Sequence, residues 1–302
     1  MSTDTIPDAV YVVLRIFFEF THSFGLLVLA TVGLAVIFGM MGIINLAHGE
    51  FILIGAYGTT LSFHAGLPLP LAMVTGVAVT TVVGLILERT VIRHLYDRLL
   101  DSMVATFGLS LVIIQLTRIL FGNTTNNVSL SMGSISYGPY SSGTYRILLA
   151  VIALVVLAVL YWVFTRTKFG LRARATMQDA ETARAMGVNT DRMYMLTFGL
   201  GAALAGLTGA LFTPAFTVDP EIGSEFLVES FVTVVVGGPS VLIGTSLGGA
   251  LLGTIDAMFT WIGGSFLGEI MILIAAIIAI RIMPEGITGL LEDWRQKRRE
   301  DE

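Results

Sequence analysis

The sequence contains no cysteine, which excludes disulfides, thiolate nucleophiles and cysteine-ligated zinc or iron–sulfur sites together. Lysine is nearly missing as well: only Lys168 and Lys297 occur, and neither follows the G-x-x-x-x-G run of a P-loop. The chain thus lacks that means of holding ATP, and if ATP drives its work, a partner must bind the nucleotide. Charge of either sign is scarce, at 13% of 302 residues, where soluble domains carry about 25%. The share left over is apolar, 55% of the chain, and the mean hydropathy is +0.84. That balance excludes an ordinary soluble enzyme and points to a protein whose solvent is a bilayer. The four histidines are scattered, so no metal set, no cofactor in this chain and no nucleic-acid partner are expected.

What is present is a series of long apolar runs. A hydrocarbon core about 30 Å thick takes roughly 20 mostly apolar residues per helix. Spans are predicted over residues 24–38, 69–87, 103–121, 147–164, 193–212, 247–262 and 266–282. Two further runs, 51–63 and 226–236, are shorter and associated with glycine; they read as full crossings, half-helices or re-entrant segments. The fold class is all-α, a polytopic transmembrane bundle of eight or nine spans that includes broken or short helices.

The basic residues are placed, not spread. Arg89, Arg93 and Arg98 share one loop; Arg166, Lys168, Arg172, Arg174, Arg184 and Arg192 share another; Arg295, Lys297, Arg298 and Arg299 sit in the tail, which makes 13 of the 17 in all. By the positive-inside rule these three segments are cytoplasmic. Residues 122–145 carry no Lys or Arg and are rich in Asn, Ser and Gly, as an outside loop is. Their Asn127-Val128-Ser129 sequon is a weak signal. With Asp4 and Asp8 and no base before Arg15, the N-terminus lacks the charged region of a cleaved signal peptide, and it is expected outside. Arg15 and Phe17 to Phe20 can alternatively form an amphipathic helix at the interface ahead of the first span.

Two short segments share a frame. Residues 49–55, GEFILIG, and 238–244, GPSVLIG, both read G-x-x-x-L-I-G, follow a broken helix and lead into a helix of small residues. In transporters, paired Gly- or Pro-interrupted segments mark the solute path, because irregular backbone at membrane depth is tolerated only against protein or a cavity. Residues 40–58 and 223–245 are therefore the pathway candidates, against the alternative that glycine strings recur by chance among 33 glycines.

Polar residues within apolar sequence sharpen this reading. Asn45, His48 and Glu50 fall in the first segment, and an ionised group at the bilayer centre costs roughly 2.5 to 3.5 kcal/mol. They either line the path or hold the broken backbone by hydrogen bonds. In the second segment Glu225 and Glu229 share a helical face, with Ser230 beside them. No nucleophile, histidine or metal set is near, so no catalytic residues are expected, and Glu229 reads as a cavity-facing group or an anchor between helices. Thr106 and Gln115 are further pathway candidates; with Ser110 they equally suit hydrogen bonding between helices.

The longest cytoplasmic insertion, residues 166–192, is too short for a catalytic domain. Within it Asp179, Ala180, Glu181, Ala183, Arg184, Met186 and Gly187 form a short predicted helix, with acid early, Arg late and Gly at the stop. Ala180, Ala183, Met186 and Gly187 give a small apolar stripe, suited to a shallow groove on a partner or to the membrane surface.

At this point whole strings match a known family. GMMGIINLAHGEFILIGAY, RARATMQDAETARAMGVNTDRMYMLTFGLGAALAGLTGAL, and FVTVVVGG followed by LIGT and GALLG resemble the inner-membrane permeases of branched-chain amino acid and urea or short-chain amide ABC importers, over nearly the whole chain. The resemblance implies a permease domain over 1–294 with a charged tail at 295–302, in a bacterial inner membrane. It implies a second homologous permease, in a heterodimer, two ATPase subunits that bind ATP and Mg, an extracytoplasmic solute-binding protein, and lipid. It maps a coupling element onto Gln178 to Val188 and a pathway loop onto Asn45, His48, Gly49 and Glu50. Pro239 departs from the family's G-G-x-G-S pattern. TFGLSLVIIQ and VESF are closer to the urea and amide branch than to the amino acid branch, which follows closely. The competing class is a self-sufficient channel or secondary transporter, which two broken segments also suit, although it has no use for a basic, helix-bearing loop.

Overall fold

The computed structural model describes residues 8–96, 98–130, 132–238, 240–291 and 294. The tail bases Arg295 to Arg299, Asp4 and Pro239 lie outside the described residues. Eleven α-helices and one hairpin follow in order. They are α1 Asp8–Met41, α2 His48–His64, α3 Leu69–Thr90, a 3-10 turn Ile92–Leu95, α4 Leu99–Phe121, β1 Ser134–Tyr137, β2 Tyr140–Gly143, α5 Thr144–Arg166, α6 Lys168–Gln178, α7 Ala180–Ala185, α8 Thr190–Phe212, α9 Ile222–Gly237, α10 Val241–Gly263 and α11 Ser265–Ile282.

Seven of these helices, α1, α3, α4, α5, α8, α10 and α11, are long and apolar enough to cross a membrane, and each contains one of the seven long runs. The two shorter runs form α2 and α9, of 17 and 16 residues. At 1.5 Å per residue these reach only about 25 Å, and both are largely enclosed by other helices. The interfacial helix anticipated around Arg15 is not separate. It is the N-terminal part of α1, whose 34 residues make about 50 Å, well beyond the hydrocarbon thickness. That overhang meets the antiparallel hairpin β1–β2: Phe18 stacks on Tyr137 at 4.7 Å, and the Arg15 guanidinium lies 5.0 Å from the Tyr140 ring centre.

The core sits where α1, α2 and α8 meet, with Leu29, Ile37, Phe51, Ile52, Phe198 and Phe212 fully buried. The glycine- and alanine-rich sequence of α8 acts as small-residue packing surface, since α2 and α3 are its closest neighbours and without a hydrophobic drive in lipid it is close packing that holds helices together. The outer helices turn Val104, Leu111, Leu154, Val159, Ile277 and Ile282 outward, as lipid-facing helices do. Arg93 and Asp191 pair at 2.6 Å, so the two arginine-bearing loops share one end of the bundle. Helix α5, 23 residues long, separates that end from the hairpin.

Candidate functional site

Helix α1 stops at Gly42, and residues 42–47 run as irregular chain before α2 begins at His48. This break lies inside the bundle, so its backbone groups require partners. Asn45 Oδ1 accepts from the Ala47 amide at 3.1 Å, the local turn that starts α2. The Leu46 amide donates to Thr106 Oγ1 on α4 at 3.0 Å. His48 Nε2 lies 3.0 Å from the Ala30 carbonyl on α1, which fixes the proton on that nitrogen. Ser110, one turn beyond Thr106, donates to Glu50 Oε1 at 2.6 Å. Asn45, His48, Glu50 and Thr106 are thereby brought together around the start of α2, tied to α1 on one side and α4 on the other.

The other side of α2 is closed by α9. A methyl on Gly49 would collide with the Gly223 carbonyl, and one on Gly223 with the Gly49 carbonyl, so backbone meets backbone there and any side chain would force the helices apart. The two candidate segments, 40–58 and 223–245, therefore touch at this crossing. The repeat frame itself has two different surroundings. Residues 49–55 enter α2, whereas Gly238, at φ +89°, leads into α10, and Thr288 Oγ1 donates to the Gly237 carbonyl at 2.9 Å.

Three buried atoms in this cluster have no hydrogen-bond partner: Asn45 Nδ2, His48 Nδ1 and Glu50 Oε2. Leaving such a group unmet costs about 1 to 3 kcal/mol, so the cluster is more than a backbone clamp: it holds one donor and two acceptors in reserve.

The remaining predicted residues lie elsewhere. Gln115 is exposed on α4 and accepts from Arg118 at 3.3 Å. Ser230 is buried but donates back to the Phe226 carbonyl of its own helix at 2.6 Å. Glu229 is half-buried on α9, within electrostatic reach of Asp256, Glu269 and Glu225; Asp256 accepts from Ser23 and Thr260. None of these three candidates joins the Asn45–Glu50 cluster. Conversely, Ser110 and Gly223 belong to it. The sequence signal for Ser110 is its spacing of one turn from Thr106, and Gly223 is the first residue of the second candidate segment.

The basic loop carries two helices, not one. Helix α6 turns Arg172 and Arg174 outward and buries Gly170, Ala173 and Thr176, a face of small residues. Helix α7 matches the expected short helix: Asp179 caps it by accepting from the Glu181 and Thr182 amides at 3.0 Å, and these bonds, with that from the Thr182 hydroxyl, hold its carboxyl below the usual aspartate value. Gly187, at φ +86°, ends the turn in a conformation that L side chains rarely adopt. The apolar stripe is not one face, however. Ala183 is 3% exposed and packs inward, while Met186 is 81% exposed. The outward surface is made by Gln178, Asp179, Glu181, Arg184, Met186 and Gly187, with Ala180 at its edge. Arg184 steadies it by donating to Thr190 Oγ1 at 2.8 Å.

Comparison with known proteins agrees with this architecture. A family model described as branched-chain amino acid transport system, permease component, matches residues 16–280. The chain is 26% identical over 293 residues to a probable branched-chain amino acid transport permease protein LivH of Methanocaldococcus jannaschii, covering 91% of each chain. It is 28% identical to the high-affinity branched-chain amino acid transport system permease protein BraD of Pseudomonas aeruginosa, over 86% of this chain and 91% of that one. Against the corresponding LivH of Escherichia coli K12 the identity is 27%, over 86% and 90%. No solved structure matches.

Proposed function

The chain belongs to the family of branched-chain amino acid transport system permease components, and from that premise we propose that it is one membrane-spanning half of an ATP-driven importer. The observation that carries this reading is α7, a capped and outward-facing helix on the basic loop of a chain that lacks a P-loop. A projecting helix of this kind serves a partner that docks on it, and a channel working alone has no need of one. The partners are a second homologous permease, two ATPase subunits that bind ATP and Mg, and an extracytoplasmic solute-binding protein.

The orientation is N-terminus outside and tail inside, in a bacterial inner membrane. Both arginine-bearing loops lie at one end of the bundle, joined by the Arg93–Asp191 pair, which supports it. Residues 1–294 form the permease domain, with 166–192 as its coupling loop and 295–302 as a charged tail. The solute path runs past Asn45, His48, Glu50 and Thr106. In operation the loaded binding protein docks on the outer face, ATPase closure is transmitted through Asp179 to Met186, and the two permeases rock to expose the path inward.

For the solute, the names of the relatives favour branched-chain amino acids over the urea and short amides suggested by TFGLSLVIIQ and VESF. Affinity purification of the tagged chain should recover an ATPase and a second permease, and the binding protein that joins them should bind leucine, isoleucine or valine. A binding protein selective for urea or acetamide would reverse the choice of solute. Isolation of the chain as a functional transporter without an ATPase would overturn the importer reading itself.

A further inference from the structure

Helix α4 turns a row of hydroxyl residues to the protein and large apolar ones outward. Its buried positions are Ser102, Thr106, Ser110 and Thr117, all hydroxyls, while Val104, Phe107, Leu111, Ile119 and Leu120 are exposed. At 100° per residue the four hydroxyls fall within an arc of about 80°. Other outer helices bury apolar or glycine faces: α5 buries Leu149, Ala150, Ala153, Leu160 and Phe164, and α11 buries Gly268, Ile272, Ala276 and Ala279.

Hydroxyls between membrane helices ordinarily bond helix to helix, but two further observations point to a ligand. First, α4 packs against little else than α2 and the 3-10 turn before it. The contacts holding it include exchangeable polar ones: Leu46 to Thr106, Ser110 to Glu50, and at the outer end the Arg118–Glu221 ion pair. Second, Glu50 is fully buried, and its carboxylate reaches the middle of the hydroxyl stripe at Ser110 while its other oxygen has no partner. That acceptor lies in the seam between α4 and α9, where even a methyl on Gly223 would come within 2.9 Å of it.

We propose that α4 is a wall of the solute path, and that its hydroxyl stripe, with Glu50 at the midpoint, hydrogen-bonds the solute as it passes. Hydroxyls both donate and accept, and a carboxylate accepts only. The seam thus fits a small solute with N–H donors for Glu50 and carbonyl or carboxylate oxygens for the hydroxyls. Separation of α4 from α2 gives up the Tyr57–Phe121 ring contact at 5.5 Å and the packing of Ile113, while water or solute groups replace the polar bonds that are lost. This inference rests on the reading of residues 45–50 as pathway and adds Ser102, Ser110 and Thr117 to it.

The absence of native cysteine makes the test direct. Ser102, Thr106, Ser110 and Thr117 are replaced singly by Cys in the full importer, reconstituted in proteoliposomes and turning over ATP, and exposed to a charged methanethiosulfonate reagent. Buried thiols away from water are inert. The stripe cysteines should react at least about tenfold faster than Leu111→Cys and Ile119→Cys, which face outward, and leucine should slow the reaction. Thr117→Cys, remote from the Glu50 contact, carries the test if Ser110→Cys fails to assemble. Stripe rates equal to the outward controls, or unaffected by leucine, overturn the inference. Asn45→Cys separates the two levels: if it reacts and is protected while the stripe is not, α4 is no wall but the pathway reading stands; if it too is unreactive, that reading falls with it.

Discussion

Glu50 is the side chain at which the fold meets the proposed solute path. Carboxylate at this depth is costly, and Ser110 supports only one of its oxygens. Glu50→Gln keeps an acceptor for Ser110 but replaces the free oxygen, so folded protein should remain near wild-type while uptake falls about tenfold, the equivalent of about 1.4 kcal/mol. Ser110→Ala instead strands the carboxylate and should destabilise the protein by about 1 to 3 kcal/mol, read as a lower unfolding temperature in detergent. Equal loss of folded protein in both variants would mean that Glu50 only holds structure. At this scale the sequence exposes Asn45, His48 and Glu50, because polar groups inside an apolar run stand out. It does not expose their partners. Ala30 and Ser110 are 18 and 60 residues away from the groups they bond, and neither a backbone carbonyl nor the one-turn spacing of Ser110 from Thr106 names the group it will meet. Gln115 lies apart from them for a related reason: a polar residue on a span can turn to the outer face and bond within its own helix.

Among the elements, the crossing of α2 on α9 and the outward helix α7 are the parts most open to substitution. Gly223→Ala should force α9 from α2 and lower stability by about 1 to 3 kcal/mol, measured by thermal unfolding. On α7, Met186→Glu should leave assembly intact and abolish solute-stimulated ATP hydrolysis, since its side chain is 81% exposed. Ala183→Glu should instead reduce folded protein, because Ala183 packs inward. Uptake by Met186→Glu equal to wild-type would remove α7 from coupling. The Asp179 cap also has a definite pH sign. Its folded value lies below the ordinary 3.8, so its stabilising effect is complete above that value and is lost as pH falls through the lowered one. Exchange of the Glu181 and Thr182 amides, corrected for intrinsic rates, should therefore stay slow through mildly acid buffers. The ends of α7 are legible because a capping Asp and a stopping Gly are local chemistry. Helix α6 is less so, since its buried face is made of the small residues Gly170, Ala173 and Thr176, which stand out little beside the arginines.

For the molecule as a whole, the seven long spans follow from apolar length alone, and the two short helices are recognisable as segments but not as the ones that meet at Gly49 and Gly223. Orientation is carried by arginine placement, which the Arg93–Asp191 pair makes structurally consistent. The family match over residues 16–280 joins these features to a permease component, and the proposed motor is a partner subunit. The most direct test is solute flux in proteoliposomes containing either the permease pair alone or the pair with its ATPases and binding protein. The expected result is uptake of labelled solute only with the complete set and ATP, and none down a gradient through the permease pair alone. Flux through the pair alone, saturable and indifferent to ATP, would contradict the assignment of this chain as the passive half of an ATP-driven machine.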